Sequence, residues 1–296
     1  MTEPIWKFKD WVPYSLITKN NWSICCILST NPNAVWFLHQ NPTLINWSML
    51  SYNTNAIDLL TKNIDKIDWF KLSYNINAID LLSKNLDKVD WTALSTNANA
   101  INILSQNIDK IDWMRLSCNV NAFELLSQNL NKINWFYLSS NPCAITILLQ
   151  NIDKINWEIL STNSAAIDLL IQNPDKINWR ELSGNPSAIN LLEQNFDKIN
   201  WSILSKNPSA INILSKYLHK IDWFHLSLNP NAIDLLMNNK DKIDILSIFK
   251  NPNIFEINYT AIKIRMNIYS EELMMNILHP SRIQKIIDNG CEFDDI

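Results

Sequence analysis

Tryptophan recurs every 22 residues through most of this 296-residue chain, and this period constrains the fold more than any other feature. We number the tryptophan as position 0 and count forward to position 21. Leucine at position 3, serine at 4, asparagine at 6, alanine at 9, leucine at 13 and lysine at 19 recur in all nine such units. A period of this length indicates a solenoid, in which each unit covers the apolar face of its neighbour. The nine tryptophans are Trp47, Trp69, Trp91, Trp113, Trp135, Trp157, Trp179, Trp201 and Trp223.

Leucine-rich repeats have a similar period, but their pattern fails at the central strand position. That position should be apolar and buried. In this register it falls at position 1, where polar, charged and aromatic residues alternate without order. A strand ladder is therefore excluded. The residues at position 1 are Ser48, Phe70, Thr92, Met114, Phe136, Glu158, Arg180, Ser202 and Phe224.

Two short helices per unit fit the pattern better. In the stretch NPSAINLLEQN, Asn185 is placed to cap a first helix, with Pro186 at its first position. The apolar residues that follow lie on one helical face. Asn195 stands where a left-handed C-terminal residue is common. We call this the A helix, and its serine-containing partner the B helix.

The start of the B helix has two candidates in FDKINWSILS. Asp197 is one possible N-cap, and Phe196 and Trp201 then have the spacing of a hydrophobic staple. The other is the Asp or Asn at position 21, which shortens the helix by a turn. Prolines in several of the units, together with the asparagines repeated in every unit, exclude one continuous long helix.

The predicted fold class is all-α, an α-solenoid of about ten 22-residue helix-turn-helix repeats with N- and C-terminal caps. We assign residues 1–24 to the N-terminal cap, 25–252 to the repeat array, and 253–296 to a helical cap with an acidic tail. Within the last segment we expect one helix to start at Ser270 and another to run from Pro280 to Ile287. With about 10 Å per helix layer, the array would be a curved rod about 100 Å long, with one buried tryptophan per unit.

Composition excludes several kinds of site. The chain has 43 asparagines and 2 glycines, so phosphate-binding loops, dinucleotide fingerprints and nucleophile elbows lack the glycines they need. Asparagine at the helix ends takes the turning role of glycine. The formal net charge of −4 argues against a dominant phosphate-binding face. We also expect no membrane span, because no apolar run reaches about 18 residues.

We predict no catalytic residue, no cofactor and no metal. The four histidines, His39, His219, His225 and His279, match no metal motif. The five cysteines show no CxxC spacing, and Cys25 occupies the tryptophan position, which favours a core role. The serine repeated at position 4 is expected to bond backbone between the helices rather than to act as a nucleophile.

The run NPSAINLLEQNFDKINWSILSKNPSAI resembles the Asn- and Ile-rich repeats of giant viruses that infect amoebae, the mimivirus relatives. The segment NPNIFEI…EELMMNILHPSRIQKIIDNG is similar to the closing segment of those proteins. The resemblance covers nearly the whole chain. Local departures are Cys25 and Ile245 in place of tryptophan, Tyr217 at position 16 and His219 at position 18. The resemblance implies a viral product in host cytoplasm or the virion, intracellular and not secreted, without a defined activity.

Positions that vary between units are free to specify a partner. The B helix carries aromatic, Met and Arg side chains, which are enriched at protein interfaces. We therefore predict a non-enzymatic scaffold that binds another protein, although packing against the adjacent unit is an equal alternative for these residues. Two other functions stay open: single-stranded RNA binding through the Lys at position 19, and a structural role in a virion or viral factory. A nucleic-acid partner is less favoured than a protein partner, and the sequence does not indicate an oligomeric state. The candidate partner-binding residues are Phe70, Lys71, Tyr74, Met114, Arg115, Phe136, Tyr137, Phe224 and His225.

Overall fold

The computed structural model describes residues 6–18 and 21–277, and these form an all-α repeat solenoid with one short strand pair. Ten of the units have a B helix, a 3₁₀ or plain turn, an A helix and a second 3₁₀ or plain turn, and the last unit has only a B helix followed by a 3₁₀ turn. The B helices are Trp22–Thr30, Trp47–Leu50, Trp69–Tyr74, Trp91–Thr96, Trp113–Leu116, Trp135–Ser139, Trp157–Leu160, Trp179–Leu182, Trp201–Lys206, Trp223–Leu228 and Ile245–Ile248. The A helices are Val35–Gln40, Ile57–Thr61, Ile79–Ser83, Ile101–Ser105, Phe123–Ser127, Ile145–Leu149, Ile167–Ile171, Ile189–Gln194, Ile211–Lys216 and Ile233–Met237.

The B helix begins at the tryptophan, so the shorter of the two sequence alternatives is correct. The Asn200 side chain accepts a hydrogen bond from the Ile203 N–H at 3.0 Å, which caps helix Trp201–Lys206. The alternative N-cap, Asp197, is wrong because residues 196–198 form a separate 3₁₀ turn. The predicted contact between Phe196 and Trp201 is nevertheless present, with ring centroids 5.2 Å apart.

The A helix is capped at both ends by asparagine side chains. Asn185 accepts from the Ser187 N–H at 3.0 Å, as predicted, but the first turn Pro186–Ala188 is 3₁₀ and the α-helix follows it. At the other end Asn195 has φ −129° and ψ 52°, so the predicted left-handed conformation is wrong. Its amide instead donates to the Leu191 carbonyl at 2.9 Å, which satisfies a carbonyl that the helix end leaves free.

Small and branched apolar side chains make the core. The leucines at positions 3 and 13 are fully buried in every unit, with alanine at position 9 beside them. Full burial of a leucine stabilises a fold by about 1.5–3 kcal/mol, so the array depends on these two positions. The nine tryptophans are only half-buried. The expectation of a buried tryptophan per unit is therefore wrong, because the leucines already fill the interior and the indole lies at its edge.

Asparagine at position 6 links each unit to the one before it. The Asn141 amide donates to the backbone carbonyls of Ser117 and Asn119 at 3.1 and 3.0 Å, and its side-chain oxygen accepts from the Cys143 N–H at 3.0 Å. Asn141 is buried, and its side chain provides hydrogen-bond partners for two backbone carbonyls and one backbone N–H. The same bonds recur from Asn53 to Asn251 and form an asparagine ladder along the array.

Serine at position 4 forms a second link between units, which confirms its predicted role in bonding backbone. The Ser139 hydroxyl donates to the Trp135 carbonyl at 2.7 Å, within its own helix. The same oxygen accepts from the Asn156 N–H at 3.0 Å, at the start of the next B helix. Each serine therefore fixes the N-cap residue of the following B helix.

The array within residues 11–254 closes on itself. The Asn31 amide donates to the carbonyls of Phe249 and Asn251 at 3.0 and 3.1 Å, as the other ladder asparagines donate to their preceding unit. The Asn33 amide donates to the Pro252 carbonyl at 2.8 Å. The first unit thus follows the last, and position 0 is occupied in turn by Cys25, the nine tryptophans and Ile245, giving eleven units in a ring. The predicted curved rod is wrong, because the first and last units of the array meet.

The junction between last and first unit differs from the other junctions at position 4, where Phe249 replaces serine. Elsewhere the serine accepts from the N–H at position 21 of the following B helix. At the junction that residue is Ile24, and its N–H instead donates to the Asn21 side chain at 3.3 Å. No hydroxyl is needed there, and Phe249 is fully buried in its place.

A second compact unit contains the described residues 6–10 and 255–277. Strand Trp6–Phe8 pairs antiparallel with Phe255–Ile257, and the ammonium of Lys7 lies 3.0 Å from the Glu256 carboxylate. Helix Tyr259–Ile277 follows. Its start contradicts the predicted start at Ser270, because the helix is already formed eleven residues earlier. The predicted helix from Pro280 to Ile287 and the acidic tail lie outside the described residues.

Candidate partner-binding surface

Position 1, the second residue of the B helix, presents the largest exposed side chains among the predicted partner-binding residues. Because the leucine two residues later faces the core, position 1 faces outward. Phe224 is 53% exposed and Phe136 is 47% exposed. These exposed ring surfaces take no part in the asparagine and serine hydrogen bonds between units, so they remain accessible from outside the array. The exposed apolar residues at position 1 are Phe70, Met114, Phe136, Phe224 and Leu246.

At position 2, the Lys71 side chain is half-buried and reaches back to the preceding unit. The Lys71 ammonium donates to the Ser48 hydroxyl at 2.6 Å and lies 3.6 Å from the Asp68 carboxylate. It also lies 5.8 Å from the centroid of the Tyr52 ring. Lys71 therefore fixes two units together and offers only part of its surface to a partner.

Two clusters of predicted residues form at separate places on the array. In the first, the Tyr74 ring lies 5.5 Å from Phe70 and 5.8 Å from Tyr52 of the preceding unit. In the second, the Phe136 and Tyr137 rings meet edge to face with their centroids 5.3 Å apart. The Arg115 guanidinium lies over the Tyr137 ring, 5.9 Å from its centroid. Sequence reasoning named most of these residues, but it missed Tyr52.

Ser202, Asp222 and His225 lie together but lack the geometry of a catalytic triad. The Ser202 hydroxyl donates to the Asp222 carboxylate at 2.6 Å, and His225 Nδ1 lies 2.9 Å from the same carboxylate oxygen. The hydroxyl also lies 3.1 Å from Nδ1. In a triad the serine and the carboxylate contact opposite ring nitrogens. Here both contact Nδ1, and the serine proton is held by the carboxylate.

Ser48, Asp68 and Lys71 repeat this arrangement with an ammonium in place of the imidazole, which indicates a structural role for both clusters. Burial opposes ionisation of the Asp68 and Asp222 carboxyls. Hydrogen bonds from the neighbouring serine and from the side chain and backbone at position 2 outweigh it and lower the pKa of both. Two ionised carboxylates therefore serve as bonded N-caps of their B helices.

Each lysine at position 19 lies over the tryptophan of the preceding B helix. The ammonium of Lys198 is 4.4 Å from the Trp179 ring centroid, and equivalent distances of 4.5–4.9 Å occur in most other units. Within these cation–π contacts, the ring attracts the ammonium electrostatically. Each lysine thus holds the turn before the next B helix against the tryptophan of its own unit, and it stands beside the position-18 residue, usually an Asp. The repeated lysines are Lys66, Lys88, Lys110, Lys132, Lys154, Lys176, Lys198, Lys220 and Lys242.

Position 17 is a surface feature that sequence reasoning missed. It opens the 3₁₀ turn before the B helix and is apolar and exposed in most units, with Ile152 at 48% exposure. The sequence did contain a signal for it, because an apolar residue recurs three residues before the buried Ile or Val at position 20. The exposed apolar residues at position 17 are Ile64, Leu86, Ile108, Leu130, Ile152, Phe196 and Leu218.

The described cysteines are structural or isolated. Cys25 and Cys26 are buried, and burial raises the pKa of both thiols. This confirms the core position predicted for Cys25. Burial also raises the pKa of the Cys118 thiol, so these three are protonated at neutral pH and poor nucleophiles. Cys143 is exposed.

Comparison with known proteins gives no relative from which to transfer a role: no family model, curated protein or solved structure matches the chain. In the described part of the chain, no three His, Cys, Asp or Glu side chains group as metal ligands. None of the helices within residues 6–18 and 21–277 combines the length and the apolar character required to cross a membrane.

Proposed function

We propose that this protein is a non-enzymatic scaffold that binds another protein through the outward face of its B helices. The exposed aromatic and Met side chains at position 1 carry this proposal. Phe136 is the strongest single candidate, because its ring is about half exposed and rests edge-on against Tyr137, which restricts its motion. Rigid aromatic side chains lose little conformational entropy on binding and dominate the energy of many interfaces.

Ring closure supports the same proposal. An eleven-unit closed array presents its B helices as a continuous series held in register by two hydrogen-bond ladders. Fixed spacing lets several exposed residues contact one partner without an ordering cost at binding. Met114 and Phe136 are in adjacent units and would contribute to one contact area.

The bonded geometry of the Ser202 cluster favours a binding role over an enzymatic one. Single-stranded RNA binding has weaker support, because the position-19 lysines already lie on tryptophan rings. A flat salt titration with a single-stranded RNA oligonucleotide is expected, since a phosphate-binding face would show a steep salt dependence. A role in a virion or viral factory is compatible with a scaffold and is tested by mass spectrometry of purified particles.

The decisive experiment recovers partners with the tagged full-length protein from amoebal cells, as the repeat resemblance suggests. We expect a partner that survives washing with wild type and is reduced at least about tenfold with Phe136→Ser. Serine occupies position 1 at Ser48 and Ser202, so this variant should fold. The double variant Phe136→Ala with Tyr137→Ala should lose the partner more completely.

Asp168→Ala is the matched control, because this exposed residue lies on an A helix and away from position 1. It should retain the partner at the wild-type level. If no partner survives washing, or if Phe136→Ser and the double variant retain it as well as the control does, the proposed B-helix surface is wrong.

A further inference from the structure

At one place on the array, several residues differ in type from those at the equivalent positions of the other units. Four substitutions, each unique at its position in the repeat array, occur close together in the sequence. Position 14 is acidic only at Glu193, position 17 is aromatic only at Phe196, position 16 departs from Asn only at Tyr217, and position 18 is His only at His219. Where a sequence breaks its own local rule, a functional site is the common reason.

These departures meet in space. Glu193, Phe196, Ile213, Lys216 and Tyr217 line one shallow depression between two A helices. The Tyr217 ring lies 4.8 Å from Phe196 and 6.5 Å from His219. Residues from two consecutive units therefore build one surface that no other pair of units in this chain can reproduce.

Tyr217 gives up a stabilising contact that the other units keep. Its backbone has φ −127° and ψ 53°, the same conformation as the asparagines at this position. Those asparagines donate to the position-12 carbonyl, as Asn195 does to Leu191. Tyrosine cannot make this bond to Ile213. A side-chain cap is worth about 1 kcal/mol, so local stability alone favours Asn here.

The three rings form a platform and not a cage. Phe196, Trp201 and Tyr217 have centroids 4.8–5.6 Å apart, in contact with one another. This spacing leaves no room for an ammonium group between the rings. The Lys220 ammonium lies 5.9 Å from Trp201, against 4.4 Å for Lys198 over Trp179, because Tyr217 now packs on the indole.

Ring tilt and charge select among ligands for this platform. The rings are inclined to each other by 52–71°, so a flat nucleobase can stack on only one of them, whereas separate proline rings of one extended segment can lie on two differently inclined faces. Glu193 and Lys216 carry opposite charges and form no ion pair with each other in the described structure. Such a pair complements a peptide that carries one basic and one acidic side chain, and Glu193 repels a polyanion.

We propose that the depression lined by Glu193, Phe196 and Tyr217 binds a proline-containing segment of a partner protein that carries one basic and one acidic residue. Proline rings lie on the Phe196 and Tyr217 faces, and the Glu193 carboxylate and Lys216 ammonium pair with the flanking charges. Aromatic-lined grooves bind extended proline-rich segments in this way, at a low entropic cost because the peptide is already extended. The site shares no residue with position 1 of the B helices.

The test is fluorescence polarisation of the full-length protein with a fluorescein-labelled peptide, GKPPLPPLPEPG, and with its charge-exchanged form GEPPLPPLPKPG. We expect saturable binding of at least one probe, with Kd on the order of 1–100 µM. Alanine in place of the prolines should abolish it. Unlabelled decauridylate RNA and maltohexaose, added as competitors, should not displace the probe.

Tyr217→Asn is the key variant, because it restores the residue that the other units carry and should fold at least as well as wild type. We expect it to weaken probe binding at least about tenfold. Glu193→Ser, also a residue that other units carry, should weaken binding and reduce its dependence on salt. Phe136→Ser should bind the probe as wild type does, so this site and the proposed B-helix surface can fail separately.

Three results would overturn the proposal. The first is that neither charge form of the probe binds saturably. The second is that Tyr217→Asn binds the probe as tightly as wild type does. The third is that the RNA or the oligosaccharide displaces the probe at a lower concentration than unlabelled peptide does. The last outcome would assign the platform to base stacking or to sugar binding.

Discussion

Asn31 and Asn251 are 220 residues apart in sequence, yet the Asn31 amide donates to the Asn251 carbonyl at 3.1 Å. The bond joins the same repeat positions as the bonds between consecutive units, such as that of Asn141 with Asn119 at 3.0 Å. The junction is therefore equivalent to an ordinary repeat interface at its buried asparagine. Closure over eleven units requires a mean rotation of about 33° per unit.

Ring closure predicts a short distance between units that are far apart in the chain. Spin labels introduced as unnatural amino acids at Asn33 and Asn253 should give a distance distribution that overlaps that of labels at Ser187 and Ser209. The second pair occupies the same repeat position in consecutive units and is the control. Pulsed electron paramagnetic resonance measures both. A separation of many units between Asn33 and Asn253 would mean that the array is open in solution.

The asparagine ladder predicts a large stability loss for Asn141→Ala. Three hydrogen bonds are removed and two buried carbonyls lose a donor, so we expect the free energy of unfolding to fall by about 2–4 kcal/mol. Urea unfolding followed by circular dichroism measures it. Asn121→Ser is the control, since Asn121 is exposed and its side chain makes one bond to Ala98. Asn121→Ser should lower the free energy of unfolding by less than about 1 kcal/mol. Equal losses for the two variants would contradict a stabilising role of the asparagine ladder.

The lysine contacts predict different costs for the same substitution in two units. Lys198→Met should lower the free energy of unfolding by about 0.5–1 kcal/mol, because the ammonium lies 4.4 Å from the Trp179 ring centroid. Lys220→Met should cost less, because its distance to Trp201 is 5.9 Å. Thermal unfolding of the two variants at equal concentration compares them directly. A larger loss for Lys220→Met would be inconsistent with a cation–π contribution.

The lowered pKa values of Asp68 and Asp222 predict a stability loss in acid. A carboxyl with a lower pKa in the folded state stabilises the fold above its unfolded value, near 3.8, and this contribution is lost as the pH falls through the folded value. We expect the double variant Asp68→Asn, Asp222→Asn to lose less stability than wild type between about pH 5 and about pH 2. Asn occupies position 21 in several units, so the variant should fold.

Asp90→Asn provides the control for this titration. The unit that contains Asp90 has Phe70 at position 1, so no hydroxyl from that position donates to the Asp90 carboxylate. Urea midpoints measured across the pH range should show a smaller change for Asp90→Asn than for the double variant. Curves for wild type and the double variant that stay parallel down to about pH 2 would show that the two clusters do not stabilise the fold through ionisation.

The sequence alone determined the repeat and most of its local structure. The 22-residue period, Asn185 as a cap and the leucines at positions 3 and 13 predicted short paired helices with a shared core, and the structure has them. These features depend on contacts within one unit, or with a neighbour that carries the same recurring residues. Exposed residues at position 1 were also predictable, because a position that varies from Ser to Phe to Arg cannot be in a packed core.

Only the tertiary structure decided how the units are arranged. The angle between neighbours depends on side-chain packing at the interface, and a few degrees per unit separate an open rod from a closed ring once eleven units accumulate them. The same packing leaves the tryptophans half-exposed and turns Lys71 back to Ser48. It also brings Tyr217 onto Phe196 from the neighbouring unit. No local pattern contains these contacts, because each joins residues about one repeat apart whose geometry depends on the angle between units.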